Sequence, residues 1–268
     1  MNSRRISPFH EIGVYIGKCF RIFINEKGWM SFFGALLIVF IIAQVSGEKT
    51  FAQFSATRSG AFAIVCGCIW IGIFNSIQSV CRERAIIKRE YRTGLRIPSY
   101  VLAHFFYEGI ICLIQSILVT AMFIGIRGIP GATLLFSPVI GLFITFFLTI
   151  FAADILGVLI SCIVKNETAA MTAMPFVLII QIVMCGIIFK LDGIAAYVAN
   201  ATISKWSVVS ICVIANINSM GDALSDYKED YLFTERHLLM CWMMLAGFIL
   251  LYLALSMIML RMIDKDKR

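Results

Sequence analysis

The chain has 268 residues, of which 60% are hydrophobic and only 15% charged, and its mean hydropathy is +0.90. A soluble domain of this length cannot hide so much apolar surface, whereas its recurrent stretches of roughly 18 or more nearly uncharged residues can each cross the ~30 Å of hydrocarbon in a bilayer. The formal charge of +7 is therefore no sign of nucleic-acid binding; in an integral membrane protein the placement of Lys and Arg matters more than their sum.

The N-terminus MNSRRISPFHEIG is polar and basic, and the first apolar run begins near Trp29. The first span is thus expected to act as its own insertion signal, without a cleavable signal peptide. Within residues 8–28, Ile12, Tyr15, Ile16, Cys19, Phe20 and Phe23 form one helical stripe, with Lys18, Arg21 and Lys27 on the other side. That pattern predicts an amphipathic helix lying in the membrane interface, its cations towards lipid phosphates. Packing of the same helix on a partner is a compatible alternative.

Apolar runs then predict six spans, at about 29–45, 60–80, 100–127, 134–164, 171–189 and 238–260. The second runs straight into the charged stretch CRERAIIKREYRTGLRIP, residues 81–98. The turn GIPGAT reverses the chain after the third. The fourth exceeds what a bilayer needs, so it is tilted, broken near Pro138 or extended beyond the membrane. In the long loop 191–237, the segment Trp206–Ile214 is apolar but too short to span, which predicts a re-entrant or interfacial piece. The fold expected is an all-α membrane protein with six transmembrane helices, an N-terminal interfacial helix (1–28) and a re-entrant outer segment before the last span.

Orientation follows from counting cations. With both termini inside, sixteen Lys and Arg fall on inner segments and seven on the outer side: Lys49, Arg58, Arg127, Lys190, Lys205, Lys228 and Arg236. This asymmetry places both ends and the 81–98 block in the cytosol of a cell-membrane protein. The nine cysteines fall mostly inside apolar spans, where thiols pack as small hydrophobes. Cys66 and Cys68 point to different helix faces and no second pair completes a zinc site, so no metal is expected. No phosphate-binding GxxxxGK[ST] loop, HExxH or GxSxG is present.

The 81–98 block is helix-prone, carries six basic residues and two acids, and offers no catalytic group; its expected task is contact with another protein. From there into the third span the chain reads Glu83-Arg84, Ile87, Arg89-Glu90, Gly94, Tyr100, Ala103 and Glu108. This resembles the pattern ERxxFxRExxxGxYxxxxYxxAxxxxExP of the permease domain of type-2 ABC transporters, especially the G-subfamily (white/pleiotropic drug resistance) branch. Ile87 stands where Phe is usual, and Ile110 where Pro often follows the glutamate. Weaker similarities are Asn166, Ala169 and Pro175 after the fourth span, MCGIIF at the end of the fifth and ISKW before the last. Cys212 stands alone in the outer loop, so the disulfide framework of some animal members cannot form within it, and the layout looks bacterial.

The resemblance implies that 81–98 contains a coupling helix seated on an ATPase. That ATPase, with its ATP and Mg, would be a separate polypeptide or lie outside this sequence. Glu83 and Glu90 would then pair with cations across the interface, Arg84 and Arg89 would make forked bonds to it, and Gly94 would end the helix in a left-handed conformation. It also implies a second permease copy, identical or homologous, and export of an amphipathic or lipid-like substrate.

Polar residues inside the expected spans are Asn75, Gln78, His104, Glu108, Gln115, Asp154 and Gln181. Buried ionisable groups in a span are costly and are functional candidates by default. At ~1.5 Å per residue, Glu108 lies about 12 Å beyond Tyr100, and Asp154 a similar distance from the inner end of the fourth span. Glu108, His104, Asp154, Asn75 and Gln78 are therefore expected to form one polar cluster beneath a gate, similar to that family's polar relay. Interhelical bonding is the plainer account. Two other functions stay open: a membrane-embedded protease or lipid transferase, for which Glu108, Asp154 and His104 are the candidate groups, and an ABC-linked sensor or immunity subunit.

Overall fold

The computed structural model describes residues 7–189, 191, 193–220 and 229–262. Of the cations counted for orientation, Arg4, Arg5, Lys190, Lys228, Lys265, Lys267 and Arg268 lie outside the described residues. Among the described residues ten α-helices follow in order: α1 (Pro8–Asn25), α2 (Met30–Val45), α3 (Phe54–Ser76), α4 (Ser79–Arg92), α5 (Ile97–Arg127), α6 (Pro138–Ile163), α7 (Glu167–Val183), α8 (Ile194–Ala199), α9 (Ile203–Ile214) and α10 (Glu235–Arg261). No strand occurs among the described residues.

Local chemistry sets the helix starts. Pro98 and Pro138 occupy the first turns of α5 and α6, where a missing N–H costs nothing. Asn166 caps α7 by accepting from the Ala169 N–H at 2.8 Å, and the Thr234 hydroxyl accepts from the His237 N–H at the start of α10. The start at Pro138 answers the question of the fourth span's length: residues 134–137 precede the helix as irregular chain.

Four apolar helices are individually long enough to cross a membrane: α3 with its continuation α4, α5, α6 and α10. α1 and α2 together are apolar enough for a fifth but are bent by 70°. α2 has 16 residues and α7 has 17, so the first and fifth expected spans are shorter than the others. The second expected span ends at Ser76, and a turn at Ile77–Gln78 separates it from the charged helix.

The core is the α3–α6 pair, with α10, α5 and α9 packed around it. α3 and α6 run in the same direction and meet at two glycines. A Cβ on Gly72 would stand 2.3 Å from the Ile150 carbonyl oxygen, and one on Gly157 would stand 2.4 Å from Ser76 Oγ. Such absent side chains let two backbones touch, as in membrane helix pairs generally. α9, the segment expected to be re-entrant, is buried along its length except for Lys205. Its serines serve the neighbouring helices: Ser204 Oγ donates to the Gln181 carbonyl at 2.5 Å, and Thr149 Oγ1 donates to Ser207 Oγ at 2.8 Å. Large apolar side chains stay exposed on the outer faces of α2 and α5, among them Phe33, Phe40, Phe106 and Ile117. These are surfaces for lipid or another apolar protein face.

Candidate functional site

α4 is the charged helix of the 81–98 block, and it is held from two sides. Towards α6, Ser76 Oγ donates to the Asp154 carbonyl at 2.5 Å just before the turn. The free N–H groups of Val80 and Cys81 then donate to Ser161 Oγ at 3.0 and 2.9 Å. A helix start leaves such N–H groups without an intrahelical partner, so a residue of α6 completes α4. Arg84 returns the service: its Nη1 donates to the carbonyls of Cys162 and Val164, both at 3.0 Å, where α6 ends.

On the other side lies α1. Lys18 Nζ pairs with Glu83 at 2.9 Å, and the Tyr100 hydroxyl donates to the same carboxylate at 3.2 Å. The Tyr15 hydroxyl donates to Glu90 at 3.0 Å, Glu11 accepts from the Arg96 N–H at 3.1 Å, and Arg82 pairs with Glu26. The apolar stripe of α1 packs on α5 through Tyr15–Tyr100 and Phe20–Tyr107 ring contacts, with centroids 5.5 and 5.2 Å apart.

Three expectations change here. Lys18 is engaged by Glu83, which α4 brings within reach, while Arg21 and Lys27 stay exposed. Glu83 and Glu90 turn inwards to α1, where Lys18 and the Tyr15 hydroxyl reach them at 2.9 and 3.0 Å. Arg84 binds carbonyls of its own chain. What α4 presents outwards is a strip of Arg82, Ala85, Ile86, Arg89 and Arg92, followed by Thr93 and Gly94.

Gly94 closes α4. Its φ is +114°, its N–H donates to the Tyr91 carbonyl at 3.2 Å, and the Leu95 N–H reaches back to the Glu90 carbonyl at 3.0 Å. This is the paired-bond helix end that glycine favours. Gly94→Val is expected to cost about 1–2 kcal/mol, because an L side chain is strained at positive φ. A lowered unfolding midpoint of the purified protein would show it; an unchanged one would contradict the assignment.

The intramembrane polar residues separate into two groups. Asn75, Gln78, His104 and Glu108 line one cavity of about 280 Å³, together with Cys19, Arg82 and Glu83. A second, more apolar cavity of about 580 Å³ opens at the α1–α2 bend and shares Asn75, Tyr107 and Glu108 with the first. Glu108 therefore lies level with Gly28, where α1 turns into α2. His104 Nε2 is 3.9 Å from Cys19 Sγ, and its Nδ1 is buried without a partner among the described residues.

Asp154 stands apart from these cavities. It is fully buried on α6, and neither carboxyl oxygen has a hydrogen-bond partner among the described residues. It still adjoins the first group: the side chains of Ser76 and Asn75 act on its carboxyl, and it acts electrostatically on Glu108. Gln115 and Gln181 have structural roles. Gln115 and Asn75 exchange two amide hydrogen bonds of 2.7 and 3.1 Å between α5 and α3, and Gln181 Oε1 accepts the Ser204 N–H at the start of α9. The sequence reading missed Ser76, Ser161, Gly72 and Gly157, which join α3 and α4 to α6. Small residues at helical spacing in two neighbouring spans were the available signal.

Comparison with known proteins is informative at this point. The family described as ABC-2 type transporter matches residues 18–220, from the middle of α1 to just beyond α9. An ABC transporter ATP-binding/permease protein of Mycobacterium tuberculosis is 24% identical over 198 residues, which cover 70% of this chain and 23% of that relative. The chain thus spans less than a quarter of the relative's length.

Proposed function

Because the chain belongs to the ABC-2 type transporter family, and is thus a multi-pass transport permease, we propose that it is the permease of an ATP-driven exporter of the G-subfamily type. ATP and Mg would act on an ATPase partner, carried on a separate chain or on another part of the same protein. A second permease copy, identical or homologous, would complete the path for an amphipathic or lipid-like substrate. The layout is six crossings in a bacterial cell membrane with both termini cytoplasmic, α2 and α7 being short spans. The bonds from Arg127 to the Ala43 and Gln44 carbonyls support this, since they bring the ends of α2 and α5 to the same level.

One observation carries the reading. α4 is bolted to α1 and to the end of α6, yet leaves Arg82, Ala85, Ile86 and Arg89 outward. A helix so fastened transmits a push from outside directly into α6 and α3, the core pair. The cavity lined by Asn75, Gln78, His104 and Glu108 lies beside this lever and would serve as the inner gate, with Asp154 behind it.

The test is to reverse the outward strip. Ile86→Glu with Arg89→Glu should reduce co-purification of the ATPase at least tenfold, or its stimulated hydrolysis where both lie on one polypeptide. The unfolding midpoint should stay within a degree or two, because surface substitutions seldom disturb a fold. Retained ATPase binding and hydrolysis in this variant would sink the proposal.

A further inference from the structure

At the end of the bundle opposite α4, helices α3, α8 and α9, the segment after α7 and the Glu229–Tyr231 turn enclose a cavity of about 590 Å³. This falls in the range of small-ligand sites. Its lining is of two kinds. Ile187, Ile188, Phe189 and Leu191 supply an apolar wall, while Arg58, Lys205, Asp230 and Tyr231 supply charge and hydrogen bonds.

The two cations keep donors in reserve. Arg58 gives one terminal nitrogen to the Gly186 carbonyl at 3.1 Å, and its Nε is buried with no partner among the described residues. Lys205 gives one bond to Asn200 Oδ1 at 2.6 Å, and its ammonium lies 5.8 Å from the centre of the Trp206 ring. Neither forms an ion pair among the described residues; the pairs found there are Lys18–Glu83 and Arg82–Glu26. Burial pushes the Tyr231 phenol above its ordinary value, and Arg58, which hydrogen-bonds the phenol oxygen, pulls the other way; the Arg58 Nε–H and the Tyr231 O–H are left to donate.

A guanidinium and an ammonium with unused donors, set against an apolar wall, are an incomplete arrangement. Charged donors bind anionic oxygens more strongly than neutral ones do, and the guanidinium suits phosphate geometry. The apolar wall would gain nothing from a purely ionic ligand but gains from a hydrocarbon chain. Among the described lining residues Asp230 lowers the net charge from two to one, which favours a head with a single negative charge.

We propose that this cavity binds an amphiphile with a singly charged phosphodiester head, Arg58 and Lys205 holding the phosphate and Ile187, Ile188 and Phe189 lining the chain. The site is separate from the α4 machinery, and binding there does not depend on transport.

Trp206 supplies the readout, since its ring stands beside Lys205 while its indole N–H donates to the Asn200 carbonyl at 2.8 Å. The full chain in an uncharged detergent would be titrated with a brominated single-chain phosphoglycerol lipid. Quenching by bromine is short-ranged, and the part lost in Trp206→Phe reports this site. Saturable quenching is expected, with Kd raised at least tenfold by Arg58→Gln plus Lys205→Gln. Lys205→Gln alone, a change at the one half-buried position of an otherwise buried α9, should raise it about threefold or more.

Inorganic phosphate at millimolar concentration should fail to displace the lipid; displacement at micromolar phosphate would assign the site to the free anion and overturn the amphiphile. Equal quenching by a brominated neutral monoacylglycerol, or an unchanged Kd in both variants, would reduce the signal to ordinary lipid contact and overturn the proposal altogether.

Discussion

Gly72→Leu is expected to abolish recovery of folded, monodisperse protein, and Gly72→Ala to lower its stability by about 1–3 kcal/mol, the usual cost of overpacking. The reason lies in what surrounds the missing side chain. A Cβ at this position would meet the Ile150 carbonyl oxygen at 2.3 Å, the Ala153 Cβ at 2.8 Å and the Asp154 nitrogen at 2.9 Å. Two of these atoms are backbone of α6, which cannot rotate away as a side-chain tip would. The same substitution elsewhere is the control. Gly247 on α10 has nothing within 4 Å of its would-be Cβ, so Gly247→Ala should be neutral or stabilising by up to about 1 kcal/mol from helix propensity. Thermal unfolding followed by size-exclusion chromatography decides it. Equal behaviour of the two alanine variants would mean that α3 and α6 do not meet at Gly72.

Arg84→Met is the second large effect. The substitution keeps most of the aliphatic stem and removes the donors that Cys162 and Val164 receive at the end of α6. Hydrogen bonds from a charged donor are worth about 1.5–3 kcal/mol, so a loss of that order is expected. The more telling result is mechanical. Spin labels placed on exposed positions of α4 and near the end of α6 should give a narrow distance distribution in the wild type and a broad one in Arg84→Met. ATPase stimulation should fall in the variant even where the ATPase still binds, which separates transmission from docking. A narrow distribution in Arg84→Met would show that Ser161 and the contacts with α1 fasten α4 without Arg84.

Composition made the class of this protein plain, and periodicity made most of its helices plain. The charged block was legible because six cations interrupt an otherwise apolar chain. Where α6 begins was less so: Leu134 and Phe136 continue the apolar run, and only Pro138 marks the first turn. The partners of Glu83 and Glu90 were not legible at all. Lys18 and Tyr15 lie 65 and 75 residues away in the chain, and no local pattern encodes a distance of that kind. The polar residues illustrate the same limit. Asn75 and Glu108 were expected in one cluster and share a cavity, but the strongest bonds of Asn75 go to Gln115, and Asp154 lies behind the cavity on another helix. Spacing along one helix states which residues share a face; it is silent on what that face meets.

Arg127 has a consequence for how the molecule is made. Its guanidinium serves the Ala43 and Gln44 carbonyls in the last turn of α2, 84 and 83 residues earlier in the chain. The last carbonyls of a helix have no partner within the helix itself. At a synthesis rate of roughly 5–20 residues per second, some 4–17 s separate the emergence of α2 from that of the group that completes it. Through that interval α2, short and almost uncharged, must wait with water on its end groups. The end of α2 is finished only when α5 arrives beside it.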